Sequence, residues 1–297
     1  MIQTLDYALM AGRAYQSTRT PINQFSVATD WLEFFHVPDI ATAFNATGGF
    51  EAVSFRRASE IVISYAGTYN KDYLGDQVAN VGLATGLGST QLFQAVEYYL
   101  QIKAANPGAT ITLTGHSLGG GLASLVSVFF GVQAQTFDQA PFAQTALYGG
   151  AELLTYLAGK NVYTADTLLP LSSYLAQRQN SGSLIPNSNL VSNINVQGEF
   201  LSSAPWTVFN RVGTLAQTIG ATSPGVSAFD MHSQALLTGF LQSKLTAPTG
   251  KALNEVTASL PDLLGMIFNK SLFAYDTDDA ANRNLLDHMV RQETGVG

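Results

Sequence analysis

The feature that most constrains the fold of this chain is a serine between a strand pattern and a glycine-rich helix pattern. Residues 109–114 alternate β-branched and apolar side chains as a strand does, and small residues after them open an apolar helix. This spacing suits a sharp, strained turn that raises the Ser117 hydroxyl above the sheet and directs the helix N-terminus at an anion formed there. The pattern therefore predicts that Ser117 is a nucleophile. The motif is G-x-S-x-G, spelled Gly115-His116-Ser117-Leu118-Gly119.

Composition argues against several classes of protein. Charged residues make up only 12% of the 297 residues and the net charge is −7, which argues against nucleic acid as a partner. The chain has no cysteine, so it offers neither disulfides nor thiolate ligands, and we expect no metal and no cofactor. The longest apolar run, Gly121 to Val132, is too short for a transmembrane segment, and the N-terminus does not read as a signal peptide. We expect a cytoplasmic protein, or one exported without a disulfide-forming stage.

Strand and helix patterns alternate along the chain. This alternation predicts an α/β fold with a mainly parallel central sheet flanked by helices, in one domain over residues 1–297. The predicted elements are a helix over 3–16, hairpin strands over 50–55 and 60–65, a helix from Ser89 to about Asn106, strands over 109–114, 132–137 and 189–196, a helix starting at Asp230, and a helical tail from about residue 250.

Three segments depart from this alternation. The Pro/Asn/Asp-rich stretch up to about residue 48 and the Ser/Gly/Thr-rich stretch after Glu199 predict irregular structure. Residues 142–188 are helical and loopy, with apolar and tyrosine side chains from Ala151 to Leu175. We interpret that segment as a lid or interfacial surface, and packing into the core is the alternative interpretation.

A serine nucleophile needs a general base, and the chain has four histidines. His116 lies inside the turn and is interpreted as structural, and His36 precedes the serine and is interpreted as a packed or surface histidine. His288 lies within a helix beside an aspartate, which is typical of a surface pair. His232 follows a long loop and begins an apolar helix, from which its side chain reaches over a neighbouring site. Since serine, acid and histidine follow each other in this order in enzymes with this motif, we predict His232 as the base.

The acid that orients the base is less sharply defined. Five carboxylates lie between the serine and His232. Glu199 follows the predicted strand 189–196, and Gly198 frees the turn that would present it, so Glu199 is the preferred acid. Asp138, at the end of the preceding strand, is the alternative.

Two backbone N–H groups are expected to form an oxyanion hole. Leu118 supplies one, because it directly follows the nucleophile at the start of the helix. The second is expected from Thr68, since Gly67 lets the chain turn after the strand 60–65 so that the Thr68 N–H faces inward. A plain strand-ending turn is the alternative interpretation.

These segments resemble the class 3 lipase pattern of the α/β-hydrolase superfamily. More narrowly, the chain resembles lipase-like domains of bacterial leaderless secreted proteins, which often stand beside calcium-binding nonapeptide repeats; such repeats are absent here. The segments that carry the resemblance are 61–68 with Asp72 and Asp76, and 113–120, supported by 47–53, 137–142, 196–199, 231–233 and 272–276.

The resemblance implies an α/β-hydrolase fold, Ser117 as nucleophile, His232 as base, and Thr68 and Leu118 at the oxyanion hole. The family's usual acid is an aspartate in an Asp-x-Val-Pro-like setting, where this chain has Glu199. The implied activity is a serine carboxylic-ester hydrolase that cleaves lipid acyl esters at an interface. The alternatives are a phospholipase A-type toxin and a catalytically silent lipid-binding module. The resemblance also implies export by a leaderless secretion route.

Overall fold

A single sheet of seven strands organises the computed structural model, which describes residues 2–15, 27, 30–37, 50–67, 87–202, 210–219 and 228–232 and positions 234, 237, 238 and 241. The order of the strands across the sheet follows their order along the chain. The first three strands pair antiparallel, and the third to the seventh pair parallel. The predicted α/β fold with a mainly parallel sheet is confirmed. The strands are β1 (Leu32–Val37), β2 (Ala52–Arg57), β3 (Glu60–Tyr65), β4 (Thr110–His116), β5 (Ala134–Phe137), β6 (Val191–Val196) and β7 (Thr214–Ile219).

Along the chain, one helix precedes the first strand, five lie between the third and sixth strands, and one follows the seventh strand, among the described residues. Among the described residues, no helix has the length and apolar character needed to cross a membrane. The helices are α1 (Thr4–Arg13), α2 (Leu87–Ala105), α3 (Leu118–Phe130), α4 (Ala143–Tyr148), α5 (Gly150–Gly159), α6 (Ala165–Asn180) and α7 (Ala228–Met231).

Strand β3 shows why the sheet is covered on both faces. Its side chains are apolar almost without interruption, which is typical of a parallel strand buried on both sides. Ile61 and Ile63 pack in a core that includes residues of α2 and α3. Val62 points the other way and packs against Met10 and Tyr15 at α1. Successive residues of a strand therefore serve opposite layers of the fold.

The connecting helices and the N-terminal helix lie on opposite sides of the sheet. Helices α2, α3, α5 and α6 contribute to one large core. Right-handed crossovers between parallel strands in sequential order place such helices on one face. Helix α1 covers the other face, where Ala8 and Ala11 pack with Phe137 of β5 and Met231 of α7. The segment that bears His232 therefore reaches the sheet from the α1 side.

The segment 142–188 forms helices α4, α5 and α6. Leu157, Leu171 and Tyr174 are buried in the same core as α3, and the Tyr174 hydroxyl donates to the carbonyl of Ala146 at 2.7 Å. The inward face of this segment is thus part of the main core, as the alternative interpretation predicts. Its outer surface carries exposed apolar side chains, and its role as a lid stays a prediction. These exposed side chains are Tyr148, Val162, Leu169 and Leu184.

Two strands lie in segments for which the sequence predicts irregular structure. Within the part of the chain that the structure describes, β1 and β7 form the two edges of the sheet and each pairs with a single neighbour. Leu32 and Leu215, one on each edge strand, are exposed, and β7 is mostly exposed along its length. An edge strand buries little, so its sequence carries a weak apolar alternation. The predicted helical tail from about residue 250 lies outside the described residues.

Candidate active site

Ser117 lies at the centre of the sheet, between the end of β4 and the start of α3. Its backbone has φ 57° and ψ −126°, a strained conformation for a residue with a side chain. Hydrogen bonds hold it there: the Ser117 N–H donates to the carbonyl of Phe137 at 3.0 Å, and the Ser117 carbonyl accepts from the Ala140 N–H at 2.9 Å. The predicted strand, turn and helix are confirmed as local structure.

The two glycines of the motif permit the turn. A Cβ atom on Gly115 would lie 2.4 Å from the carbonyl carbon of Gly119, and one on Gly119 would lie 1.9 Å from the carbonyl oxygen of Tyr65. Neither distance is compatible with a side chain, so β3, β4 and α3 pack this closely only with glycine at both positions.

His232 follows α7 and is in hydrogen-bond contact with the serine. Its Nε2 lies 2.9 Å from Ser117 Oγ. Both side chains are buried, and the His232 N–H donates to the carbonyl of Ala228 at 3.1 Å, which continues the helical turn. The predicted base and the predicted nucleophile are 115 positions apart in the sequence, and their side chains are direct neighbours in the structure.

Glu199 contacts the opposite side of the same imidazole. Its Oε2 lies 2.7 Å from His232 Nδ1 and accepts from the Leu201 N–H at 2.7 Å. Burial raises the pKa of Glu199, but the hydrogen bond and charge of His232, together with Arg211 and the Ser202 hydroxyl, lower it to about 2. The carboxyl is therefore ionised at neutral pH. Glycine at 198 has φ 75°, so it makes the turn that the sequence analysis assigns to it.

Arg211, which the sequence analysis did not single out, holds this carboxylate from the other side. Its Nη2 lies 2.7 Å from Glu199 Oε1, its Nε donates to the carbonyl of Gln139 at 2.7 Å, and its Nη1 donates to Ser202 Oγ at 3.2 Å. The arginine thus connects the loop after β6 to the residue that follows Asp138. Arg211 lies in a Ser/Gly/Thr-rich stretch without a motif, so the sequence does not indicate its contact with Glu199.

Asp138, the alternative acid, is a second buried carboxyl beside the site. It has φ 41° directly after β5, and its Oδ1 accepts from the Val196 N–H at 2.8 Å. Burial, and next the charge of Glu199, raise the pKa of Asp138 well above its usual value. The carboxyl in hydrogen-bond contact with His232 is Glu199, the preferred acid of the sequence analysis.

His116 lies against the candidate base. Its Nδ1 is 2.9 Å from the hydroxyl of Tyr15, and the centroids of its ring and that of His232 are 4.7 Å apart. His116, Asp138 and His232 are the described residues whose potential metal-ligating atoms cluster, within 4.8 Å of one another. Both nitrogens of His232 already contact Ser117 and Glu199, so a metal ion would displace one of these contacts.

Only one of the two predicted oxyanion donors lies among the described residues. Leu118 is the first residue of α3 and is buried, while Thr68 lies outside the described residues. Gly67, the residue before it, lies beside the serine. A Cβ atom on Gly67 would be 3.2 Å from Ser117 Cβ. The oxyanion roles of both residues stay predictions. Of the remaining histidines, His36 lies in β1 at the sheet edge and His288 is outside the described residues.

The sheet and the serine-bearing turn at its centre define an α/β-hydrolase fold. Residues 6–155, half of the chain, match the family described as Tle-like phospholipase domain, and the chain belongs to this family. It is similar to the extracellular phospholipase A1 of Serratia liquefaciens, with 38% identity over 103 residues that cover 34% of this chain and 31% of that protein. The chain matches less than a third of the length of the curated relatives.

Two solved structures are similar in outline. The lipase from Rhizopus microsporus var. chinensis aligns with a TM-score of 0.41 and 16% identity over 69% of each chain. The Rhizomucor miehei lipase propeptide complex aligns with a TM-score of 0.39 and 13% identity, over 69% of this chain and 63% of that one.

Proposed function

We propose that this chain is a serine hydrolase that cleaves acyl esters of phospholipids. The observation that carries the proposal is the continuous series of hydrogen-bond contacts from Ser117 Oγ through the His232 imidazole to the Glu199 carboxylate, 2.9 Å and 2.7 Å long. A base within reach of the nucleophile, and itself oriented by a third group, is the arrangement that activates a hydroxyl for acyl transfer. The phospholipid substrate class is supported by the family description.

The first half of the reaction follows from these contacts. His232 Nε2 accepts the proton of Ser117 Oγ as that oxygen attacks the acyl carbonyl, and the imidazole becomes a cation. Glu199 stabilises the cation because its pKa is about 2 and it is therefore ionised at neutral pH. Main-chain N–H groups of Leu118 and Thr68 are the proposed donors to the tetrahedral oxyanion. The imidazolium then returns its proton to the departing alcohol, which leaves the acyl group on Ser117.

In the second half of the reaction, water takes the place of the serine as the nucleophile and His232 again transfers the proton. His232 takes a proton from a water molecule that attacks the acyl-enzyme, and the fatty acid leaves as Ser117 regains its proton. No cofactor is required for these steps.

Labelling and hydrolysis test this function together. A fluorophosphonate should attach to Ser117 in the wild-type chain, located by peptide mass spectrometry, and Ser117→Ala should lose both the label and the release of fatty acid. Folded wild-type protein that releases no fatty acid from any ester would favour the silent lipid-binding module instead.

The substrate class is tested by comparing two esters. Phosphatidylcholine vesicles and tributyrin emulsions present acyl esters with and without a phosphate headgroup. We expect faster release of fatty acid from phosphatidylcholine, and the reverse preference would support a lipase that acts on triacylglycerols. Export is proposed from the extracellular Serratia relative, and fractionation of cells and medium tests it.

A further inference from the structure

Asp138 is a buried carboxyl that the serine–histidine–glutamate series does not use. The residue is fully buried and has an unusual φ of 41°. One oxygen, Oδ1, accepts the N–H of Val196 at 2.8 Å. The other oxygen, Oδ2, is buried and has no hydrogen-bond partner among the described residues. A buried polar atom in this state costs free energy, so its retention calls for an explanation.

Asp138 belongs to a cluster with two imidazoles. A carboxylate oxygen of Asp138 and one ring nitrogen each of His116 and His232 lie within 4.8 Å of one another. A hydrogen bond between nitrogen and oxygen spans about 2.7–3.2 Å, so contact with His232 requires the carboxyl or the ring to move by at most about 2 Å. Asp138 therefore stands within reach of the imidazole that Glu199 now holds.

We propose that Asp138 is a reserve acid for His232, placed to accept a hydrogen bond from the imidazole when the Glu199 carboxylate is lost. This inference rests on the proposed function, because it concerns the same base. It assigns Asp138 as a positioning residue that acts through His232 and does not itself touch the substrate.

The charges around Asp138 explain why it is held in reserve. Two neighbouring carboxyls in a buried site do not both ionise readily, and the one with more donors keeps the charge. Glu199 has Arg211, His232, the Ser202 hydroxyl and the Leu201 N–H. Asp138 has the Val196 N–H, and burial and the charge of Glu199 raise its pKa well above the usual value. Among the residues with described positions, the ionisable groups that face Asp138 are Glu199 after β6, Arg211 before β7, His232 after α7 and His116 at the end of β4.

Replacement of Glu199 by glutamine removes one of the two causes that raise the pKa of Asp138. Burial, the first cause, remains, but the negative charge of Glu199 disappears and Arg211 keeps its positive charge nearby, so the pKa of Asp138 falls relative to wild type. Asp138 then loses its proton to solvent as the pH rises and becomes the single carboxylate beside His232. The sign is therefore fixed: in Glu199→Gln the reserve acid is active above its own pKa and inactive below it.

Kinetics of three variants test the proposal. Removing the only acid of a serine triad lowers the rate by about 10⁴-fold. With a working reserve, Glu199→Gln should keep kcat/KM within roughly 100-fold of wild type, and its activity should rise with pH through a step that wild type lacks. Glu199→Gln/Asp138→Asn should lose that step and fall to the full loss. Asp138→Asn alone should cost a few-fold, because asparagine keeps the acceptor for the Val196 N–H.

The proposal is overturned if Glu199→Gln already shows the full loss and adding Asp138→Asn changes neither rate nor pH profile. The NMR signal of the hydrogen-bonded Nδ1–H proton of His232 gives a readout independent of activity. Above the pH step, this low-field signal should be present in Glu199→Gln and absent from the double variant, and its absence from both would refute the reserve role. This signal still decides the matter if wild type hydrolyses no ester, an outcome that would defeat the proposed function alone.

A further comparison uses the wild-type background in case Glu199→Gln does not fold. The infrared carbonyl band of protonated Asp138 should persist in wild type to a higher pH than the band of an ordinary carboxyl, and it should be lost in Asp138→Asn. A wild-type band that disappears at the usual pH of a carboxyl, or that the substitution leaves unchanged, would overturn the proposal.

Discussion

Replacing Arg211 by methionine should destabilise the protein mainly through Glu199. The guanidinium lies 2.7 Å from Glu199 Oε1, and the two side chains are 18% and 0% exposed, so solvent screens their attraction only weakly. The pKa of Glu199 falls from 4.5 to about 2 in the folded protein. A shift of this size corresponds to roughly 3 kcal/mol, of which Arg211 supplies a part after His232.

Arg211→Met adds two further costs to the lost attraction. The carbonyl of Gln139 loses a donor at 2.7 Å, and Glu199 keeps a buried charge with one cation fewer. Breaking one partner of a buried ion pair costs about 3–5 kcal/mol, so we expect a loss of about 3 kcal/mol in the free energy of unfolding at neutral pH. Arg211→Lys should recover part of this loss, since lysine keeps the charge but not the planar fork of donors.

The pH dependence of this loss has a defined sign. Because the folded pKa of Glu199 is lower than the unfolded value, its stabilising contribution is complete above pH 4.5 and is lost as the pH falls toward about 2. The difference in unfolding free energy between wild type and Arg211→Met should therefore be largest at neutral pH and shrink over that interval. Urea unfolding at a series of pH values measures it.

A matched substitution provides the control. Arg13 forms an ion pair with Glu33 at 3.2 Å, with side chains 31% and 27% exposed. Arg13→Met should cost less than about 1 kcal/mol, as is usual for ion pairs near the surface. If Arg211→Met unfolds with the same free energy as Arg13→Met, or if its loss does not shrink in acid, the electrostatic account of Arg211 is wrong.

Three further predictions concern the site. Ser117→Gly should be about 1 kcal/mol more stable than Ser117→Ala in urea, because glycine adopts a φ of 57° without strain, and equal stabilities would contradict the strained turn. Gly119→Ala should cost about 3 kcal/mol, since its Cβ would lie 1.9 Å from a backbone oxygen of β3; Gly159→Ala, with open space around it, should be neutral or stabilising, and similar losses for the two would argue against this packing. Tyr15→Phe should lower the thermal unfolding temperature by the equivalent of about 1 kcal/mol, because it removes the hydroxyl 2.9 Å from His116 Nδ1, and an unchanged temperature would show that this contact adds no stability.

The fold was predictable where burial leaves a clear pattern in the sequence. Strand β3 is apolar on both faces, and β4 ends in a motif that only a strand-to-helix turn accommodates, so both were recognised. The edge strands β1 and β7 were not, because exposed positions such as Leu32 and Leu215 break the expected alternation. An edge strand is specified by its neighbour more than by its own residues.

The candidate site was predictable to the extent that it follows chain order. Ser117 is fixed by a local motif, while His232 and Glu199 follow from the order serine, acid, histidine, and the structure brings the three side chains into contact. Arg211 was not predictable, because its importance arises from contacts with residues 12 and 72 positions away. Asp138 was considered as the acid, but the sequence does not reveal two carboxyls in one buried site.

Helix α1 contacts the segment that carries His232, so the contact between His232 and Ser117 depends on residues near both ends of the described chain. Gln234 Nε2 donates to the carbonyl of Ala8 at 2.7 Å across 226 positions, and Met231 packs with Ala8 and Ala11. A chain still emerging from the ribosome holds its serine long before the imidazole is synthesised and docked onto that first helix. The proposed ester cleavage therefore requires a chain that has been synthesised at least through His232 and packed onto α1, and a shorter nascent chain carries the serine without its base.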